Sequence, residues 1–319
     1  MKIISYNVRG FGVVGKFDSV KNLCFRERPD IITFQETKCH ELGDRWVQAL
    51  WGTSDFGYVQ KAVVGNSGGL LTIWDSTSFT ITNAVGSDYF LAIRGSWVGS
   101  GKETIVVNVY GPHSDVNKKI LWDSLSNLMG NNDMAWVLCG DFNEVREQGD
   151  RLNCFFHQRR ATRFNDFIYS NSLIEIPLVG RKFTRISDDG IKFSKLDRFF
   201  ATDNFINLWC DLSIMALKRK DSDHCSIMLR DKVVDFGPKP FKIFDEWYNK
   251  EGVMEVIDSA WSLSVKGTRV DCNFHDKLKN VKFALRDWSK NEFGSLDSEI
   301  NSLKVEVGEW EKKGRSGVS

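Results

Sequence analysis

The chain has 319 residues, 42% hydrophobic and 27% charged, and its 43 basic and 42 acidic residues leave a formal net charge of +1. This is an ordinary globular composition, not a global polycation, so any grip on nucleic acid must come from local patches. The seven cysteines form no C-x-x-C pair, which argues against a zinc knuckle or a disulfide scaffold and fits a reducing compartment.

The length allows one large domain, or a domain of roughly 200–250 residues with an appendage. No apolar stretch approaches the roughly 18 residues of a membrane helix, so no membrane partner is expected. A strand-like run from Lys2 is expected to leave no room for a signal peptide. The nucleus or cytoplasm is the expected location.

From Met1 to about Leu229 strand-like and helix-like segments alternate. Ile3 to Val8 reads as a buried strand, and Arg9-Gly10-Phe11-Gly12 as its glycine-rich exit loop. Ser19 to Phe25 reads as a short helix closed off by Pro29, and Ile31 to Glu36 as the next strand. A helix is expected over Leu42 to Trp51, then strands at Gly68–Trp74, Phe79–Ile81, Leu91–Ile93 and Thr104–Tyr110. Val116 to Met129 is a helix with Leu121, Leu125 and Leu128 on one face. Trp136 to Asp141 is a buried strand running into a loop, and Ala161 to Asn171 a helix. Phe183–Ile186, Leu196–Phe200 and Ser226–Leu229 complete the strands. Many strands with few helices between them predict an α+β fold, two sheets face to face with helices outside.

Beyond Val234 the character changes. Gly237-Pro238-Lys239-Pro240 signals a linker. Leu296, Ile300, Leu303, Val307 and Trp310 then step by fours and threes, a seam that predicts a helical hairpin or short coiled coil with a possible helical partner through 296–310. The expected division is a domain over 1–232 and a helical extension over 233–319.

Four short segments carry the chemistry: Ser5-Tyr6-Asn7, Phe34-Gln35-Glu36-Thr37, Gly140-Asp141-Phe142-Asn143 and Ser222-Asp223-His224. Each lies at or beyond the end of an apolar run, and each supplies a carboxylate, an amide or an imidazole. Hydrolysing a phosphodiester requires an activated water, neutralised phosphoryl charge and help for the leaving oxygen. Glu36 suits direct ligation of Mg²⁺ (or Mn²⁺), which prefers oxygen donors. Asn7 can hold that carboxylate or a metal-bound water, and Asp223 is a second metal contact. Asp141 is placed to orient and deprotonate the nucleophile, and Asn143 to donate to a phosphate oxygen. His224 partners the scissile phosphate as a cation or a general acid/base, with Asp197 fixing its tautomer. Tyr110 offers a hydroxyl to phosphate.

In this order, these segments resemble the endonuclease/exonuclease/phosphatase superfamily of deoxyribonuclease I and the apurinic/apyrimidinic endonucleases. The wording of Gln35-Glu36-Thr37-Lys38, Asn108-Val109-Tyr110-Gly111-Pro112, Gly140-Asp141-Phe142-Asn143-Glu144, Lys195-Leu196-Asp197-Arg198-Phe199 and Ser222-Asp223-His224-Cys225 is most similar to the endonuclease domain of plant non-LTR (LINE-type) retrotransposons. The resemblance covers roughly residues 1–232. It implies a four-layer α/β/β/α sandwich, a divalent metal and nicking of DNA, with a reverse transcriptase domain as partner in the parent element. It carries Asn7, Glu36, Tyr110, Asp141, Asn143, Asp197, Asp223 and His224 over as the catalytic set, with Thr184 and Ser222 as supporting polar positions. Arg185 stands where that family usually has an aromatic, so a surface or DNA-contact position is expected to differ there. The chain shows no polymerase motif or zinc knuckle, and the tail resembles a connector toward a reverse transcriptase.

Basic clusters predict phosphate contacts at Arg159, Arg160, Lys218, Arg219 and Lys220, and Arg146 and Arg151 lie in the same clusters. Phe155 and Phe156 could stack on bases, but a core role is preferred. The expected function is a Mg²⁺-dependent DNA-nicking endonuclease. The competing readings are a phosphoesterase on a small or lipid phosphate, and an inactive remnant that only binds DNA or protein.

Overall fold

The computed structural model describes residues 1–63, 68–130, 134–209, 211–231, 241, 243, 245–263 and 273–292. The chain forms two compact units, Met1–Val234 and Asp235–Ser319. The first unit begins with β1 (Lys2–Asn7), α1 (Lys16–Glu27), β2 (Ile31–Gln35), α2 (Asp44–Trp51), β3 (Phe56–Lys61) and β4 (Leu70–Asp75). It continues through β5 (Phe79–Gly86), β6 (Phe90–Trp97), β7 (Glu103–Tyr110), α3 (Asp115–Met129), β8 (Trp136–Asp141), β9 (Arg151–Leu152) and α4 (Gln158–Ser170). It closes with β10 (Ile174–Glu175), β11 (Leu178–Val179), β12 (Arg185–Ile186), β13 (Phe193–Ser194), β14 (Asp197–Ala201), α5 (Asp203–Leu208), β15 (Ser213–Ala216) and β16 (Ile227–Arg230).

The strands form a seven-stranded sheet in the order β11-β15-β16-β1-β2-β4-β3 and a six-stranded sheet in the order β10-β14-β8-β7-β6-β5. Both are mixed: β1 runs parallel to β2 and β7 parallel to β8, while the neighbouring pairs are antiparallel. Between the sheets lies a core that includes Ile3, Ile31, Val106, Val137 and Phe199. Ile4, Ile32 and Phe34 pack outward against Val20, Leu23, Val47 and Leu50 of α1 and α2. Val107, Leu138 and Phe200 pack outward against Trp122, Leu125 and Phe164 of α3 and α4. The layers are therefore helices, sheet, sheet, helices, as the α+β reading expected.

The alternation of side chains along a strand explains how this fold makes a site. On the inward faces, apolar residues lead to an amide, a phenol or a carboxylate at the strand end. β1 reads Ile3, Ser5, Asn7; β7 reads Val106, Asn108, Tyr110; β8 reads Val137, Cys139, Asp141; β14 reads Ala201, Phe199, Asp197 in the reverse sense. The pairing puts Tyr110 opposite Asp141 and Asp141 opposite Asp197. Two glycines permit the close approach. At Gly140, with φ +146°, a Cβ would lie 1.9 Å from the Val109 carbonyl oxygen, and at Gly111 it would lie 2.0 Å from that of Phe142.

The polar middle row ties the sheets together. Gln35 donates to Asn108 Oδ1 at 2.7 Å, and Asn108 donates to the Phe34 and Leu71 carbonyls at 3.1 and 3.2 Å. On the opposite face of β14 the guanidinium of Arg198 is buried between Asp150 and Glu175. Lys195 and Arg146 also pair with Glu175, at 2.6 and 2.9 Å. Burial alone would raise the Glu175 carboxyl, but Arg198, Lys195 and Arg146 outweigh it and hold it at about 2. A depressed carboxyl stabilises the fold above its unfolded pKa, and that contribution is lost as pH falls toward the folded value. Glu175→Gln is therefore expected to cost about 3 kcal/mol at neutral pH and to flatten the loss of stability between about pH 4.5 and 2. Urea midpoints across that range check it; an unchanged slope would count against the network.

In the second unit, Asp245–Asn249 form a 3₁₀ turn, Val253–Trp261 a helix (α6), and residues 273–292 are helical. The Trp247 and Trp288 rings meet at 5.5 Å and Leu285 is buried. The Gly237–Pro240 linker and the seam over 296–310 lie outside the described residues. Among the described residues no helix is long and apolar enough to cross a membrane, and Cys24, Cys39, Cys139, Cys154 and Cys225 are free thiols.

Candidate active site

The inward-facing strand ends meet the loops that follow β2, β8 and β15. Asn7, buried at the end of β1, is the hinge of the arrangement. Its amide donates to Asp141 Oδ2 at 2.8 Å and to Glu36 Oε1 at 3.1 Å, while its own oxygen accepts from the Arg9 backbone at 3.0 Å. Asn7 thus clamps two carboxylates side by side. Glu36 sits just past β2 with φ +53°, and Lys38 lies 3.6 Å from it. The Tyr110 hydroxyl bonds to Glu36; burial first, then the Glu36 and Asp141 charges, push the phenol up.

Asp141 is fully buried. One oxygen accepts from Asn7 and the other from the Asn143 backbone at 2.9 Å. Burial is the main cause that pushes its carboxyl up to about 6, against the pull of His224. His224 stands between two acids: Nδ1 lies 2.8 Å from Asp197 and Nε2 3.7 Å from Asp141. Burial alone would lower the imidazole, but Asp197 and then Asp141 outweigh it and hold it up at about 9. At neutral pH the ring is therefore a cation with its Nδ1 proton on Asp197.

The supporting positions have definite tasks. Thr184 Oγ1 accepts from the Leu196 and Asp197 backbones, each at 3.0 Å, and its carbonyl accepts from Cys225 at 2.7 Å. It pins Asp197 and the His224 loop to one point. Ser222 donates to the Asn7 carbonyl at 2.8 Å and accepts from the His224 backbone at 3.2 Å. Asn143, with φ +48°, donates its side-chain amide to the Gly111 carbonyl at 2.8 Å. One N–H of that amide holds the turn, and the other is left to donate to a phosphate oxygen. Asp223 lies outside the Asn7–Glu36–Asp141 cluster and is paired with Arg185 at 2.9 Å and Arg9 at 3.7 Å.

The residues fit a divalent cation. Asn7 holds the Glu36 and Asp141 carboxylates side by side, and their oxygens are the hard donors that Mg²⁺ or Mn²⁺ takes. Asp141, Asp197 and His224 also place ligand atoms within 4.8 Å of one another. In that trio His224 is hydrogen-bonded to Asp197 and lies 3.7 Å from Asp141, and as an imidazolium it repels a metal ion. The Glu36 side of the cluster is the better cation position.

Three partnerships were not expected from the sequence. Lys118 of α3 is buried, donates to the Asn143 carbonyl at 2.6 Å and pairs with Glu144. It clamps the turn after Asp141; the charged Glu144 in a buried motif was the signal available. Arg185, the departure expected at a surface or DNA-contact position, is part-exposed and also holds Asp223. Arg146, placed in a basic cluster, is drawn into the Glu175 network.

Among the expected phosphate contacts, Arg159, Lys218, Arg219 and Lys220 are exposed. Arg219 reaches the Ile186 carbonyl at 3.4 Å, and Arg160 pairs with Asp115 at 2.7 Å. Phe155, preferred as a core residue, is 75% exposed; it lies in the loop between β9 and α4.

Residues 4–224 match the Endonuclease/Exonuclease/phosphatase family. No curated protein sequence matches the chain. Solved structures share the fold at low identity. The AP endonuclease LMAP of Leishmania major is 17% identical with a TM-score of 0.56, covering 72% of this chain and 86% of that one. The 3′ phosphatase NExo of Neisseria, solved with a product DNA hairpin, is 16% identical with a TM-score of 0.56, covering 73% and 100%. The endonuclease domain of TRAS1, a telomere-specific non-LTR retrotransposon, is 11% identical with a TM-score of 0.54, covering 73% and 98%.

Proposed function

The chain belongs to the Endonuclease/Exonuclease/phosphatase family, and we propose that within it the protein is a divalent-metal-dependent endonuclease that nicks DNA. The observation that carries this reading is the clamp of Asn7 on Glu36 and Asp141, with the Asp197–His224 pair beside it. A Mg²⁺ or Mn²⁺ ion held by Glu36 would supply positive charge at the phosphoryl oxygens. Asp141, ionised near neutral pH yet with a raised proton affinity, accepts the proton of the attacking water. The His224 imidazolium, oriented by Asp197, offers Nε2–H to a phosphoryl oxygen. The Tyr110 hydroxyl stays protonated and is a second donor on the Glu36 side. Asn7, Thr184 and Ser222 keep these groups in place, which is the larger part of phosphoryl-transfer catalysis.

DNA is favoured as substrate by the exposed cations Arg159, Lys218, Arg219 and Lys220, which suit a polyanion. The sequence wording supports descent from a LINE-type retrotransposon endonuclease, with a reverse transcriptase domain as partner in the parent element. Residues 1–232 would then be the nuclease and 233–319 its connector. The second reading is a phosphatase for small phosphate esters, supported by the likeness of fold to a mannosyl-6-phosphatase of Bacteroides thetaiotaomicron. A competition between supercoiled plasmid and an inositol polyphosphate separates the two. Plasmid is expected to be consumed first; preferential release of inorganic phosphate from the inositol ester would favour the second.

A further inference from the structure

A small sheet lies beside the site, and its two faces differ. In β12, β13 and β9, Arg185 pairs with Ser194 and Ser194 with Arg151. Residues directly opposite share a face, so these three form one polar row. Ile186, Phe193 and Leu152 form the apolar row on the other face. The polar row starts at the catalytic loop, where Arg185 pairs with Asp223 at 2.9 Å and bridges to His224. At its far end, Arg151 donates to the Phe155 carbonyl at 2.6 Å, and Cys154 Sγ lies 3.8 Å from Ser194 Oγ. Those contacts fold the loop after β9 onto the face that adjoins the site.

Phe155 stands on that loop 75% exposed, with the His157 ring edge-on at 4.6 Å. An exposed aromatic is a platform with an unoccupied face. What fits it is indicated by the charge beside it: part-exposed Arg185 stands at the His224 end of the sheet, and exposed Arg159 follows Phe155 in the chain. A polyanion with a flat apolar substituent at each repeat meets both demands. Two strand spacings separate Arg185 from Arg151, about 10 Å, or about three base steps.

We propose that Phe155 is a stacking subsite for a nucleobase of the DNA strand flanking the scissile phosphodiester, the backbone between them meeting the part-exposed guanidinium of Arg185 beside the catalytic loop and exposed Arg159 next to Phe155 in the chain. This rests on the DNA-nicking reading above. It also implies that a base free of its partner binds better than a paired one, because the ring needs an open base face.

The test is fluorescence anisotropy on the full chain in EDTA, with a labelled duplex carrying a three-nucleotide gap, alongside plasmid nicking in Mg²⁺. Phe155→Ala is expected to weaken binding to the gapped duplex roughly tenfold, with the slope of log K against log salt unchanged, because no phosphate contact is lost. Phe155→Trp is expected to restore the affinity. Unchanged thermal melting is expected for both variants, since the ring is exposed. If the wild-type chain binds and nicks DNA but Phe155→Ala binds equally well, the subsite is wrong and the nicking reading stands. If the wild-type chain neither binds nor nicks DNA, both are overturned.

Discussion

Asp141→Asn is expected to slow plasmid nicking by about a thousandfold and to leave the fold intact. The side chain is fully buried, and asparagine keeps its shape. What the substitution removes is the charge and the ability to take a proton. The contact with the Asn143 backbone can be kept by the new amide oxygen, while the Asn7 amide loses its acceptor on one rotamer. His224→Ala is expected to give a loss of the same order, because the cation facing the phosphoryl group disappears. The double variant is expected to be little worse than either single one, since both act on one transition state. Quantified conversion of supercoiled to open-circular plasmid checks this. Retained nicking in both single variants would remove Asp141 and His224 from the chemistry.

Asp197→Asn is expected to lower the rate by about a hundredfold at pH 8, and the loss should depend on pH. Burial would by itself lower the His224 imidazole; Asp197 and Asp141 hold it up at about 9. The cationic form therefore persists through neutral pH and is lost as pH rises through the folded value. Without Asp197, burial gains the upper hand and the charge is lost at lower pH. The alkaline limb of the rate profile should move down, and part of the rate should return near pH 6. Below that, activity should fall in both proteins as Asp141, held up at about 6, takes a proton. A profile from pH 5 to 10 reads both limbs. An alkaline limb that does not move would mean that Asp197 does not act through His224.

The long inward-facing strands were legible because their apolar runs are bounded by Asn7, Tyr110, Asp141 and Asp197, each at a strand terminus. β3 was missed because Phe56–Lys61 is half-buried throughout at the sheet edge, so no alternation marks it. β15 is only the four residues Ser213–Ala216, too short to show a period. The strand expected over Phe183–Ile186 shrinks to Arg185–Ile186, with Thr184 turned into the site. Within the site, the acids and the histidine stood out by their motifs. Their supports did not, because each support joins residues distant in sequence. Gln35 and Asn108 are 73 residues apart, Arg185 and Asp223 38, and Lys118 and Glu144 26. Asn143 shows a second task that its motif did not reveal: one of its two amide protons also holds the turn to Gly111.

The most direct measurement is the conversion of supercoiled plasmid by the purified chain in Mg²⁺, with EDTA and Asp141→Asn run in parallel. Open-circular DNA is expected to accumulate with the wild-type chain in Mg²⁺ alone, and nicking should return when Mg²⁺ is added back in excess of EDTA. Nicking that persists in EDTA, or that Asp141→Asn performs as fast as the wild type, would contradict a metal-assisted site built on Glu36 and Asp141.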